Sequence, residues 1–197
     1  LHSRMGRQIC GATPYLRNFL MKFIETKIQG VLLIDIEPVY DSRGMFARTY
    51  CLEEFKTAGL NFSIYQTSTS LNLAKHTIRG MHFQLAPYAE QKLVRCTAGE
   101  IYDVLLDLRP ESPTHLKWMS VELSGKNNRM VFIPPGVAHG YQTLVENSEI
   151  LYMIDTPFEP THYRGARWND PAFAIDWPAT NPIVISDRDN TYPDYGK

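Results

Sequence analysis

The chain has 197 residues, 44% hydrophobic and 21% charged, enough to bury a sizeable core in one domain. Its net charge is -1 and its isoelectric point lies near 6.7. That excludes a global basic field able to recruit nucleic acid or an anionic membrane surface, so any phosphate-bearing ligand has to be held by a local cluster of cations.

Cys10, Cys51 and Cys96 are an odd number of cysteines at wide spacing with no CxxC pair, which points to a reducing, cytoplasmic compartment. Residues 1–20 contain Arg4, Arg7 and Arg17 and no acid, but no apolar run long enough for a signal peptide or a membrane span. Met21-Lys22-Phe23 reads as a natural start. Residues 1–20 are therefore expected to be a non-native or disordered extension, and residues 21–197 a single domain.

From Gly30 onward, short β-branched and aliphatic runs recur: VLLIDI (31–36), MFARTY (45–50), IYQTSTSL (64–71), IRGMHF (78–83) and QKLVRCTA (91–98). EIYDVLLDL (100–108), LKWMSVEL (116–123), RMVFIP (129–134), GYQTLV (140–145) and EILYMID (149–155) follow. Gly, Pro, Asn and Ser punctuate them, as in RPESP (109–113), SGKNN (124–128) and PPG (134–136). Strands bounded by turns in this way predict an all-β sandwich or barrel. Only LEEFKTAG (52–59) reads as a short helix. Asp103 and Asp107 interrupt an apolar run and suggest a partly polar interior. The tail from Arg167, with Pro171, Pro178, Pro182 and Pro193, is expected to be irregular and to pack across one mouth of the barrel. No second hydrophobic core is expected.

The histidine of TIRGMHFQ (77–84) could bind a metal, take a proton or fill a core. Jelly-roll metal sites use several His and a carboxylate on neighbouring strands, but His82 is followed at i+2 by Gln84, and IPPGVAHG (133–140) supplies only His139. Gln is a poor transition-metal ligand, and Lys92 would repel a divalent ion if it faced the same cavity. No metal is expected. For His2, His76, His115 and His162 a packing or surface role suffices. His82 has company in Arg79, Gln84, Lys92, Asp103 and His139, polar residues in or beside strand-like segments that are costly to bury unless paired or used.

DSRGMF (41–46), RGMHFQ (79–84), QKLVRCTAGEIYDVLLDLRPESPT (91–114), IPPGVAHGYQTL (133–144), LY (151–152), WNDP (168–171) and ISDRD (185–189) occur in this order. Together they resemble the successive motifs of the dTDP-4-dehydrorhamnose 3,5-epimerase family, from about Lys22 to Asp189. The resemblance implies an all-β, cupin-type jelly-roll epimerase domain over residues 21–197, with a short helix and an irregular C-terminal segment. It implies no cofactor, and a homodimer in which the N-terminal strand crosses to the partner.

The implied reaction inverts C3 and C5, or one of these centres, of a nucleotide-linked 4-keto-6-deoxyhexose, with dTDP-4-dehydrorhamnose the implied product for deoxysugar and polysaccharide biosynthesis. By the family pattern His82 is the base and Tyr152 the acid. Lys92 stabilises the enolate oxygen, and Asp189 orients the histidine and raises its pKa. Arg43, Gln66, Ser68, Arg79, Gln84, His139, Phe158 and Arg188 stand at substrate-binding positions. The chain departs from the family at Arg48 and Tyr163, where the family has Glu, at Gln66-Thr67-Ser68, where it has Gln-Asp-Asn, and at Phe158, where it has Tyr. A non-catalytic sugar-binding cupin and a metal-dependent cupin enzyme are the rival readings.

Overall fold

The computed structural model describes residues 20–196. Apart from Leu20, the extension 1–20 lies outside the described residues, and Cys10 with it. Strands β1 (Lys22–Glu25), β2 (Leu32–Asp35), β3 (Val39–Asp41) and β4 (Gly44–Phe46) precede helix α1 (Leu52–Thr57). Strands β5 (Gln66–Asn72), β6 (Ile78–Gln84), β7 (Lys92–Ala98), β8 (Glu100–Asp107) and β9 (Trp118–Ser124) follow. Strands β10 (Arg129–Ile133), β11 (Val137–Thr143), β12 (Ser148–Ile154), β13 (Tyr163–Gly165) and helix α2 (Asp187–Asn190) complete the order.

Two antiparallel sheets form the cupin-type jelly roll. One runs β1-β2-β10-β7-β12-β5 and the other β13-β6-β11-β8-β9, while β3 and β4 pair only with each other. Alternation along the strands sorts the side chains. Val94 and Cys96 of β7, Ile101 and Leu105 of β8, Val131 and Ile133 of β10 and Ile150 of β12 point between the sheets into one cluster.

The residues between them point outward into two further clusters, so the expectation of a single core is corrected. Leu93, Met130, Phe132 and Met153 meet Phe55 of α1 and Phe62 on the outside of the six-stranded sheet. Ile78, Met81, Val104 and Leu106 meet Trp168, Phe173 and Trp177 on the outside of the five-stranded sheet. The C-terminal tail thus covers a sheet face, where its aromatics find apolar surface, and does not merely cross a mouth. It is irregular apart from α2, whose N-cap Ser186 Oγ accepts from the Asp189 N–H at 3.2 Å, and a parallel bridge from Thr77 to Val184.

The strand expected over 45–50 ends at Phe46. Tyr50 turns inward, its hydroxyl donating to the Phe62 carbonyl at 2.8 Å and its ring lying 5.0 Å from that of Phe55, so the chain enters α1 instead of pairing. Among the described residues, Cys51 and Cys96 are free thiols, and no helix is long and apolar enough to cross a membrane.

The step that aims the site residues is at Gly80. Strict alternation would place Arg79 and His82 on opposite faces of β6. Gly80 has φ +133°, and the β6–β11 register shifts between His139 and Tyr141, so residues 79 and 82 both face inward. A Cβ on Gly80 would collide with the Cα of Gly140 and the His139 carbonyl. Gly80→Ala should therefore cost about 2–5 kcal/mol, from backbone strain and overpacking together. Gly59→Ala is the comparison: φ is +81° but a Cβ meets nothing within 4 Å, so about 1 kcal/mol is expected. The urea midpoints of the two variants, converted with a common m-value, check the difference.

Candidate active site

A cavity of about 360 Å³ lies between the two sheets. The five-stranded sheet lines it with Arg79 and His82 of β6, His139 and Tyr141 of β11 and Tyr163 of β13. The six-stranded sheet lines it with Ser68, Thr69 and Ser70 of β5, Lys92 of β7, and Tyr152 and Ile154 of β12. His82 and Tyr152 therefore enter the same space from opposite walls.

His82 Nε2 is 2.8 Å from Asp189 Oδ1, and the other carboxylate oxygen accepts the Gly80 N–H at 3.1 Å. With Nε2 engaged, Nδ1 is the ring nitrogen left to take a proton. The expectation that Asp189 raises the histidine's pKa holds only in part. Burial acts most strongly and lowers it, Asp189 pulls it back up, Lys92 and His139 push it down, and the net direction is below the ordinary value. Burial acts to raise Asp189, but hydrogen bonding and attraction to His82, the Gly80 N–H and the Arg188 charge hold it below the usual carboxylate range. The pair is thus a neutral imidazole held by an ionised carboxylate at neutral pH.

Lys92 is buried beside Glu90, with Nζ 2.7 Å from Glu90 Oε1, and donates to the His82 carbonyl at 3.3 Å. An ammonium has three N–H donors, so one remains for an oxygen in the cavity. His139 forms a second imidazole–carboxylate pair, 2.7 Å from Asp103 Oδ1, and both side chains are almost wholly buried. Burial raises the Asp103 pKa and His139 opposes it. His139 also stands directly opposite His82 in the β6–β11 register, which is why its charge bears on the base. Tyr152 lies edge-on to His139, with ring centres 6.0 Å apart. Burial, then Tyr141 and Asp103, push its phenol well above the ordinary value, with Arg79 opposing. It stays protonated at neutral pH. Arg79 Nε donates to Asn72 Oδ1 at 2.8 Å, and the Tyr141 hydroxyl reaches Asn72 Oδ1 and Ser70 Oγ at 3.2 and 3.1 Å.

Of the sequence-predicted residues, His82, Lys92, Tyr152, Ser68, Arg79 and His139 line this cavity, and Asp189 touches it through His82. The others stand elsewhere. Gln84 is buried and structural: its amide nitrogen donates to the Tyr88 and Pro157 carbonyls and its oxygen accepts the Glu159 N–H at 2.7 Å. It occupies the end of β6, not the space beside His82. Gln66 ties β5 to the Thr156 carbonyl. Phe158 is exposed and edges onto the Tyr163 ring. Arg188 lies over that same ring. Arg43 pairs with Asp41 in the exposed β3–β4 turn, and Arg48 pairs with Glu54 of α1 at 2.8 Å.

Sequence reasoning passed over Tyr141, Glu90 and Ser70, and named Tyr163 only as a departure from the family. Period-two spacing offered a signal for the first three, since Tyr141 follows His139, Ser70 follows Ser68, and Glu90 precedes Lys92, each by two residues. Among the described residues, no group of three or more His, Cys, Asp or Glu could hold a metal ion.

A jelly-roll cavity holding a carboxylate-bound imidazole, an ammonium and a buried phenol defines a cupin-type barrel fitted for proton transfer. The family model described as dTDP-4-dehydrorhamnose 3,5-epimerase matches residues 25–196, and the chain belongs to that family. It is 39% identical over 173 residues to the dTDP-4-dehydrorhamnose 3,5-epimerase of Sinorhizobium fredii, covering 88% of this chain and 89% of that one. The dTDP-4-dehydrorhamnose 3,5-epimerase of Bacillus anthracis, solved with TDP and PPi bound, superposes with a TM-score of 0.85 at 39% identity, over 88% of this chain and 99% of that one. The dTDP-6-deoxy-D-glucose-3,5-epimerase of Legionella pneumophila, in complex with dTDP-4-keto-L-rhamnose, gives 0.81 at 32% identity, over 86% and 89%.

The opposing effects on His82 are separable by titration. In imidazole NMR spectra of the unliganded protein His82 should titrate below the ordinary histidine value of about 6.5. Asp189→Asn should lower it further, because burial and the Lys92 and His139 charges are then less opposed.

Proposed function

We propose that this chain inverts the carbons flanking the C4 ketone of a dTDP-linked 4-keto-6-deoxyhexose, converting dTDP-4-dehydro-6-deoxyglucose to dTDP-4-dehydrorhamnose. Family membership supports the substrate class, and the observation that carries the mechanism is His82 facing Tyr152 across one cavity, with Lys92 beside them. A C–H next to a ketone becomes acidic only when the developing enolate is stabilised and a base lies on the hydrogen. In this reading His82 Nδ1 takes the proton, the C–H electron pair forms the C=C bond, and the charge moves to the ketone oxygen, which Lys92 meets. Tyr152 then delivers its phenolic proton to the opposite face and regains one from solvent, while the His82 proton is lost to solvent. Protons balance and the configuration is inverted. Asp189 fixes the tautomer of His82 and stabilises the imidazolium that forms. No metal enters the scheme, because both imidazoles are committed to carboxylates and an ammonium already faces the ketone.

Incubation with dTDP-4-keto-6-deoxyglucose in deuterated water, with chelator present, tests these roles. His82→Ala should lose solvent exchange at C3 and C5 by about a hundredfold to ten-thousandfold, the usual range for a general base. Tyr152→Phe should retain exchange longer than inversion, since only the return proton from the far wall is gone. Exchange that persisted in His82→Ala and vanished in His139→Ala would reverse the assignment of the base, and activity that required a restored divalent ion would revive a metal-dependent reaction.

The working form in this reading is a cytoplasmic homodimer that exchanges an N-terminal segment. β1 pairs with β2 of its own chain, so the segment suited to exchange is the β3–β4 hairpin, which joins neither large sheet and exposes Val39, Tyr40 and Met45. The outer edge of β5, next to the cavity, is open to receive it, and Arg43 would then reach the partner's cavity as a cation for the diphosphate. Tyr40→Asp combined with Met45→Asp should shift the protein from dimer to monomer in sedimentation equilibrium and weaken substrate binding. A monomeric parent protein would exclude the exchange.

A further inference from the structure

Tyr163 stands beside the base on β13. That strand pairs with β6 so that Gly165 is opposite His82 and Tyr163 opposite Gln84, and the Tyr163 ring lies 5.2 Å from the His82 ring, tilted by 45°. The Arg188 guanidinium sits over the same tyrosine, 4.3 Å from the ring centre, a cation–π contact. Arg188 Nε in turn donates to the Tyr192 hydroxyl at 3.1 Å, and the Tyr192 ring fills the space over Gly165, where a Cβ would run into it. Helix α2 therefore holds the base and its neighbour together: Asp189 fixes His82, and Arg188 one residue earlier fixes Tyr163. Arg188 is in this arrangement a brace for an aromatic wall.

The Tyr163 hydroxyl has a different situation from the ring. No hydrogen bond among the described residues engages it, it is not a buried unpaired atom, and the residue lines the cavity. Burial, then Tyr192 and Asp189, push the phenol above its ordinary value, so it is a neutral group able to donate and accept. A base has to come within hydrogen-bond reach of the C–H that it deprotonates, which places the hexose against His82. A phenol whose ring is packed on that imidazole reaches the same hexose and not the remote nucleoside.

We propose that Tyr163 is a further substrate-binding residue, whose hydroxyl hydrogen-bonds an oxygen of the hexose held against His82 and so selects for the sugar, not the nucleotide. The proposal rests on the epimerase reading above and adds to it a contact from the base's own wall of the cavity. Tyr163→Phe tests it, because the ring, its packing on His82 and the Arg188 contact all remain. Loss of one neutral hydrogen bond should weaken binding of dTDP-glucose, measured by calorimetry, about threefold to tenfold. The affinity for dTDP alone should change by less than about twofold, and KM for dTDP-4-keto-6-deoxyglucose should rise with kcat nearly unchanged, as for a contact made equally in ground and transition states. Unchanged affinity for dTDP-glucose, an equal loss for dTDP, or a loss confined to kcat would each overturn it. If the parent protein epimerises and Tyr163→Phe behaves like it, only this inference fails; if the parent protein does not epimerise at all, the reading of the preceding subsection fails.

Discussion

At Gly80 and Gly140 the backbones of β6 and β11 approach so closely that no side chain fits between them. The rest of the cavity depends on that contact. It breaks the alternation of β6, so that Arg79 and His82, three residues apart, share one face. It also sets His139 directly opposite His82. The Gly80 N–H, freed by the irregular step, goes to Asp189, so the same glycine that aims the histidine also steadies the carboxylate that holds it. A residue with a Cβ would force the strands apart at the point where a base has to be placed to within a fraction of an ångström.

Charge is the second constraint. The interior holds His82, His139, Lys92, Asp189, Asp103 and Glu90 in a space that excludes most water, where isolated ions are costly. Three of the cationic or potentially cationic groups have a carboxylate each, giving the pairs His82–Asp189, His139–Asp103 and Lys92–Glu90, while Arg79 is held by the neutral Asn72 amide. The pairing leaves some acceptors unsaturated: Asp103 Oδ2 and Glu90 Oε2 are buried with no hydrogen-bond partner. Neighbouring carboxylates favour a protonated imidazole, and His82 lies below its ordinary value because burial and the Lys92 and His139 charges outweigh Asp189. Burial presses the phenol of Tyr152 up and the imidazole of His82 down, which suits the one to donate and the other to accept a proton in the proposed reaction.

The positions at which the motif resemblance implies a departure from the family fall into two groups. Arg48 is satisfied locally by Glu54, whose other carboxylate oxygen accepts the Met21 N–H at 2.8 Å, so within one chain it braces α1 and lies away from the cavity. Ser68, Phe158 and Tyr163, in contrast, stand in or beside the cavity. There the chain presents a short hydroxyl and two aromatic rings. Tyr163 adds an aromatic face against His82 that a carboxylate would not supply, and Arg188 is drawn onto it.

Much of the fold was legible in the sequence because strand alternation and turn residues are local signals. Nine of the ten runs between Gly30 and Asp155 foretold strands of the two sheets to within a few residues, while β1 and β13 were not foretold and MFARTY fell in the separate hairpin; LEEFKTAG marked α1. The chemistry-bearing residues on regular strands, Lys92, His139 and Tyr152, could be named because motif order and period-two spacing carry that information. The outer clusters were not legible: apolar residues at 93, 130 and 153 show that a strand has two buried faces, but not what covers the second one. Nor was the sharing of one face by residues 79 and 82, which follows from a glycine conformation and a register shift between strands about 60 residues apart. Gln84 illustrates the limit. Alternation placed it beside His82, and only the loop carrying Pro157 and Glu159 determined that its amide would be spent on backbone groups. Arg188 and Tyr163 could be named from motif position, but not their stacking on each other beside His82, which came from β13 and the C-terminal segment docking onto β6, contacts spanning about 80 to 110 residues.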